Sequence, residues 1–411
     1  MTPPPPRSRT GLLVLAAASF VTILTEALPA GVLPALSADL AIGESRAGLF
    51  VTGYALAAAV TAIPLTALTL RVPRRALLVA LLVAFAATNL VTAVSGSFPL
   101  SLAARVLSGV AAGVLWALVP GYAARLDPQR SGRAIATALA GMTIGLSLGI
   151  PAGTALADLV GWRVTFGLLS GMAAVLAVVG LRVLPPVAAP PPTRGAGMAA
   201  VLRTPGVAAV NGASVAVVLG FYVLYTYIAP FVAGRGVAAG TVLFVFGLGS
   251  LAGVWAAGAT ADRAPRLTTL TVLGLCALCL AGFGVVASSA PALLGCAALW
   301  GLTHGAVPVL MQTAGVRAAP HAADTANSIW VTGWNIGMAG GSLLGGAVLD
   351  TAGVAATPWV AAGLATVGVV VVALARRTGF PPARSVRAGQ ERLVEQQHRE
   401  RAEPTGSDTG L

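Results

Sequence analysis

Residues 12–33 read LLVLAAASFVTILTEALPAGVL, an apolar run broken by a single acid, Glu26. A bilayer core takes about 20 apolar residues in a helix, so this run is long enough to span one. A second run, Phe98–Ala124, is broken by a single base, Arg105. Ionisable side chains at such depth are costly and mark function by default. At about 1.5 Å per residue, Glu26 lies roughly 22 Å along a helix rising from Gly11, and Arg105 roughly 10 Å down one descending from Phe98. In a core about 30 Å thick both fall in the outer half. An acid and a base at similar depth point to a machine that moves something coupled to protonation.

Working outward, composition agrees with a membrane protein. The 411 residues are 57% hydrophobic and 9% charged, with mean hydropathy +0.87, where a soluble chain carries about 25% charged residues. The net charge of +12 does not read as a nucleic-acid surface, because the arginines are grouped in short loops, which is a topology signal. No nucleic-acid partner is expected. The chain has no lysine, which excludes a phosphate-binding P-loop and hence an ATPase of its own. Cys276 and Cys279 form a C-x-x-C inside the apolar stretch Leu270–Val286, where they read as buried small hydrophobes. No metal and no cofactor is expected. The three histidines are scattered and there is no H-E-x-x-H, so an intramembrane enzyme is disfavoured. Arg7 and Arg9 precede the first run as in a secretory signal, but the run is too long and lacks a clean cleavage site, so an uncleaved first span is expected.

Twelve apolar stretches follow: 11–35, 47–70, 76–94, 98–124, 134–157, 163–184, 206–232, 239–261, 267–287, 291–315, 325–349 and 356–375. The alternation of a strand barrel is missing, so the spans are helices. With the N-terminus inside, 21 arginines fall on inner segments and only Arg46, Arg163 and Arg235 on outer ones. This asymmetry places both termini in the cytoplasm. The expected organisation is a disordered 1–10, a six-helix half over 11–184, a Pro-rich cytoplasmic linker over 185–205, a second six-helix half over 206–375, and a cytoplasmic tail over 376–411.

The halves repeat at one ungapped offset of 192 residues. Arg71, Pro73 and Arg74 match Arg263, Pro265 and Arg266; Gly109 and Gly113 match Gly301 and Gly305; Pro128 matches Pro320; Gly149, Gly153, Asp158 and Gly161 match Gly341, Gly345, Asp350 and Gly353. Six helices per repeat make the halves parallel, related by an axis along the membrane normal.

Several motifs then carry a resemblance. The loop Gly258-Ala-Thr-Ala-Asp262-Arg263-Ala-Pro265-Arg266 resembles the G-x-x-x-D-R-x-G-R/K loop between spans two and three of the major facilitator superfamily. Its first-half copy, ending Leu70-Arg71-Val-Pro73-Arg74-Arg75, has lost the acid. Arg105-Val-Leu-Ser-Gly109 resembles the R-x-x-x-G motif of proton-coupled members. Gly141-x-x-x-Gly145-x-x-x-Gly149-Ile150-Pro151-Ala152-Gly153 resembles the exporter motif G-x-x-x-G-P-x-x-G, with Ile150 inserted before the proline. Thr25–Pro34 and Gly161-Trp162-Arg163 are similar to the first and sixth spans of 12-span drug-proton antiporters and arabinose-efflux-type permeases.

The resemblance implies an all-α membrane protein of twelve transmembrane helices in two six-helix parallel-repeat halves, the major facilitator fold. It implies proton coupling through Glu26 and Arg105, the base tuning the acid, with a structural arginine as the other reading. His304 and Asp39 are rival proton carriers. Gating falls to Asp262, Arg263, Arg266, Arg71, Arg74 and Arg75; in the first half simple anchoring is as good a reading. Gly145, Gly149, Pro151 and Gly153 form the antiporter motif. Spans one, four, seven and ten line the cavity by resemblance, giving Thr22, Thr25, Trp116, Asn211, Tyr222, Tyr225, Trp300, His304 and Gln312, with Asn335 and Trp334 joining from span eleven. Tyr222 and Tyr225 read equally well as an outer aromatic belt. So apolar a cavity favours neutral or cationic lipophilic compounds. The expected function is proton-coupled export of such compounds by a monomer in the bacterial inner membrane, with protons, a small-molecule substrate and membrane lipid as partners. A sugar or small-metabolite permease is the alternative; a non-transporting receptor is more remote.

Overall fold

The structure, a computed structural model, describes residues 6–187, 198–260, 264–285 and 289–380. The described residues contain no strand. Their helices are α1 Pro6–Gly31, α2 Leu33–Asp39, α3 Glu44–Leu68, α4 Arg74–Val94, α5 Phe98–Leu126, α6 Ser131–Ile144, α7 Ile150–Val160, α8 Trp162–Val183, α9 Met198–Leu202, α10 Pro205–Tyr225, α11 Ile228–Val232, α12 Ala239–Thr260, α13 Pro265–Val285, α14 Ala290–Ala318, α15 Ala323–Ala352 and α16 Thr357–Leu374. A π-helical turn, Gly145–Gly149, joins α6 to α7. Helix α1 begins at Pro6, inside the segment expected to be disordered.

Among the described residues, eleven helical spans are long and apolar enough to cross a membrane. The span expected at 325–349 is α15, which is not among the eleven; it carries Asn335 and Asp350 among many glycines. It packs against α3 on one side and α10 on the other, so protein covers much of a face that other helices give to lipid. With α15 the fold is twelve spans in two halves.

Spans one and seven each break near the same end. α1 yields to α2 at Gly31–Val32, and α10 to α11 at Thr226–Tyr227. Pro34 and Pro230 follow these breaks closely; a proline removes the N–H that would bond four residues back and crowds the preceding turn. The two short helices α2 and α11 touch across the halves.

The 192-residue offset has a packing reason. A Cβ on Gly109 would overlap the carbonyl of Tyr54, and one on Gly113 would press the carbonyl of Ala58 at 2.9 Å. At the equivalent places, a Cβ on Gly301 would overlap the Phe246 carbonyl and one on Gly305 the Ser250 carbonyl. Span two is thus seated on span four in each half through the same two glycines, the close approach that small residues allow in lipid. Gly161 (φ 87°) and Gly353 (φ 79°) also match at this offset, and both start a helix from a left-handed conformation that glycine takes without strain.

The halves meet along two seams. On one, α3 lies against α15, and Ser342 Oγ donates to the Gly48 carbonyl at 3.0 Å. The hydroxyl of Tyr227, fully buried, donates to the Ser342 carbonyl at 3.0 Å. On the other seam α12 lies against α7 and the π turn, with Gly247 on the backbone of Ser147.

Candidate functional site: a buried acid facing an aromatic wall

Glu26 sits near the end of α1, 7% exposed. Helix α5 meets it with two side chains. Arg105 and Trp116 are eleven residues apart, about three turns, and so share one face of α5. The Trp116 indole N–H donates to Glu26 Oε2 at 3.4 Å. The fully buried Arg105 donates through Nη2 to the Glu26 backbone carbonyl, also at 3.4 Å, while its Nε and Nη1 have no hydrogen-bond partner. The guanidinium carbon lies 4.8 Å from the centre of the Tyr54 ring of α3, whose π-face attracts a cation. The base therefore reaches the acid through its backbone and not through a carboxylate–guanidinium pair.

Sequence reasoning missed two members of this group. Tyr54 lies under Arg105, and Asn89 of α4 donates to Thr25 Oγ1 at 3.0 Å. A phenol and an amide inside otherwise apolar spans were the available signal. Thr25 and Thr22 are fully buried; Thr22 Oγ1 donates to its own-helix Ala18 carbonyl at 2.8 Å. Both hydroxyls are thus engaged inside the N-terminal half.

The C-terminal half presents rings. His304 stacks on Phe221 with centroids 3.8 Å apart and planes 15° apart, and meets Trp334 at 5.6 Å. Tyr225 stacks on Phe221 at 4.8 Å, and Tyr222 meets it edge-on at 5.0 Å. Tyr222 and Tyr225 are both buried, which places them in the protein interior and not in a lipid-facing belt. They also lie within electrostatic reach of Glu26. Trp300 is fully buried behind this layer, against Phe246 at 4.9 Å and Phe283 at 5.5 Å. Gln312 is half-buried on α14. Asn335 spends its amide on the Val331 carbonyl at 3.0 Å. Asn211 packs against Gly333, and its Oδ1 is buried with no hydrogen-bond partner.

The antiporter-motif glycines form a track for α1. Gly141 meets the Ala16 carbonyl, Gly145 meets Ile23, Gly149 meets Leu24 and Phe20, and Gly153 meets Leu28. In a regular helix a four-residue row drifts by about 40° per step, so four such residues would turn away from a straight neighbour. The π turn over Gly145–Gly149, wound more loosely, offsets part of that drift. It ends one residue before the extra Ile150, which Pro151 follows, at the point where the motif carries its insertion.

Asp39 is held at the far end of α2. Arg163 Nε pairs with Asp39 Oδ2 at 2.7 Å, and the Trp162 indole donates to the same oxygen at 3.1 Å. Arg163 Nη1 also donates to the carbonyls of Ala93 and Ser95 at 3.0 and 2.6 Å. At the opposite end, Arg266 grips the carbonyls of Val372, Ala373 and Phe380 at 2.8–3.1 Å. Arg75 donates to the Leu184 carbonyl at 3.4 Å; Arg74 is buried and Arg71 exposed. Arg75 and Arg266 thus bind span three to span six, and span nine to span twelve, within each half. Asp262 and Arg263 lie outside the described residues. Cys276 and Cys279 are buried free thiols.

The chain is 34% identical over 360 residues to a chloramphenicol efflux pump of Mycobacterium tuberculosis, covering 84% of this chain and 87% of that one. It is 28% identical over 371 residues to a protein of Mannheimia succiniciproducens named "Probable sugar efflux transporter", covering 87% and 92%. Among solved structures, a bacterial homolog of the human lysosomal transporter Spinster, inward-facing and unoccupied, superposes with TM-score 0.72 at 14% identity over 91% of this chain and 98% of that one, a likeness of fold. The Major Facilitator Superfamily model matches residues 15–327, and the chain belongs to that superfamily.

Proposed function

We propose that this protein is a proton-coupled exporter of small lipophilic compounds, working by alternating access. The observation that carries the reading is Glu26: a carboxyl buried in the first span, held by Trp116, with Arg105 on its backbone, while the opposite half holds the buried ring cluster of Tyr222, Tyr225 and His304. A buried acid that faces each side in turn can take a proton outside and release it inside. Substrate and proton then compete through the equilibrium between the two states. The wall supplies ring faces and few hydrogen-bonding groups, which suits an apolar or aromatic solute. Similarity to a chloramphenicol efflux pump supports export of that class. The arginine asymmetry supports both termini in the cytoplasm and residence in the bacterial inner membrane. Six-helix halves over 11–184 and 206–375, joined by a cytoplasmic linker, and a monomer complete the proposal.

The test is proton release from purified protein in proteoliposomes, with chloramphenicol, arabinose and a lipophilic cation, wild type beside Glu26→Gln. Release with chloramphenicol or the cation, lost in the variant, is the expected result. Release with arabinose alone would replace the substrate class, the reading that similarity to the sugar efflux relatives favours. Undiminished release from Glu26→Gln would move the proton elsewhere, to His304 or Asp39.

A further inference from the structure

Trp116 of α5 touches the acid of α1 through its indole N–H. It is half-buried, whereas Arg105, on the same face of α5 three turns away, is fully buried. Glu26 and Trp116 join α1 to α5, 90 residues apart in the chain. The indole has one donor and no acceptor. It can bond the ionised carboxylate with charge assistance, and it cannot take up the proton itself. The other titratable groups that act on Glu26 are Arg105 from α5 and Tyr54 from α3. The Arg105 hydrogen bond ends on the Glu26 backbone, and the Tyr54 hydroxyl makes none of hydrogen-bonding geometry. The glycines of α6 and α7 pack against α1, Thr154 of α7 lies against Gly31, and α4 brings Asn89 to Thr25. Among the described residues, the Trp116 indole is the side chain whose bond to the carboxylate has hydrogen-bonding geometry.

We propose that Trp116 is the positioning residue of the proton site: its N–H fixes the Glu26 carboxylate and sets the pH at which the site gives up its proton. The proposal rests on the reading of Glu26 as the proton carrier.

The test needs no substrate. The protonated-carboxyl infrared band of the purified full chain is titrated in wild type, Glu26→Gln, Trp116→Phe and Trp116→His, with circular dichroism confirming that each is folded. Glu26→Gln identifies the band by removing it. Trp116→Phe keeps a ring and loses the donor, so the band should persist at least about one pH unit further, a tenfold change in the proton equilibrium. Trp116→His restores an N–H and should return the midpoint toward wild type. A Trp116→Phe midpoint equal to wild type overturns the proposal. If Glu26→Gln removes no band, the fault lies with the proton-carrier reading itself. If Trp116→Phe does not fold, a Trp116→His midpoint equal to that of Trp116→Ala overturns it in the same way.

Discussion

Ser342 and Gly48 lie 294 residues apart and in opposite halves, yet the Ser342 hydroxyl donates to the Gly48 carbonyl at 3.0 Å. Tyr227 closes over them: its hydroxyl bonds the Ser342 carbonyl and takes the space of a Cβ at Gly346, and its ring takes that of a Cβ at Gly345. A Cβ at Gly48 would overlap the same hydroxyl. This end of the cleft is therefore pinned. Ser342→Ala removes one net hydrogen bond, worth about 1 kcal/mol, and should raise the population open at this end about fivefold. Spin labels at the start of α3 and the end of α15 should report a larger long-distance fraction. Gly48→Val should have the larger effect, and an unchanged distance distribution in both would show that the seam does not hold the halves.

The glycine contacts between spans two and four, and eight and ten, make a second prediction. The Cβ of Gly301→Ala meets backbone, which cannot swing aside, so overpacking should cost roughly 1–3 kcal/mol. Gly274 has open space around its Cβ position, and Gly274→Ala should be neutral or stabilising by up to about 1 kcal/mol. Thermal unfolding in detergent should separate the two, with only Gly301→Ala lowering the midpoint.

Arg105 tests shape against charge. Arg105→Lys keeps a cation but loses the planar group over Tyr54 and the reach to the Glu26 carbonyl. Arginine and lysine are not interchangeable at a stacked, buried site. Proton-driven transport should fall at least about tenfold, reflecting a hydrogen bond from a charged donor, while the variant still folds. Wild-type rates in Arg105→Lys would make its role a matter of charge alone.

The Asp39–Arg163 pair is partly exposed, its side chains 45% and 33% accessible. Such a pair alone contributes about 0–1 kcal/mol. Arg163 also satisfies the Ala93 and Ser95 carbonyls at the end of α4. Arg163→Met should therefore destabilise more than Asp39→Asn, and raising salt should weaken the contribution of Asp39 preferentially. Equal effects in a detergent melt would reduce the clamp to a simple ion pair.

Much of this was legible in the chain. Spans are set by length and polarity, local properties, and ten of the twelve expected stretches correspond to one helix or to a helix continued through the π turn. The other two, 11–35 and 206–232, divide near their C-terminal ends. The pieces α2 and α11 were hidden because an apolar run does not reveal which proline will break it. The π turn escaped for a similar reason: the inserted Ile150 was visible, but not how the backbone would absorb it. At the site, Glu26, Arg105, Trp116 and His304 stood out as polar or aromatic groups in apolar runs. Asn89 and Tyr54 carry the same kind of signal more faintly.

The sequence by itself determined the helical spans, the two-fold repeat and the superfamily, because hydropathy and a fixed offset are written along the chain. Only the tertiary structure decided which groups touch. Arg105 meets a carbonyl and not the carboxylate, Trp116 takes the carboxylate, Tyr222 and Tyr225 turn inward, and Ser342 finds Gly48. Each is a contact between helices remote in the chain, fixed by how closely glycines let backbones approach and by which buried polar atoms then find partners.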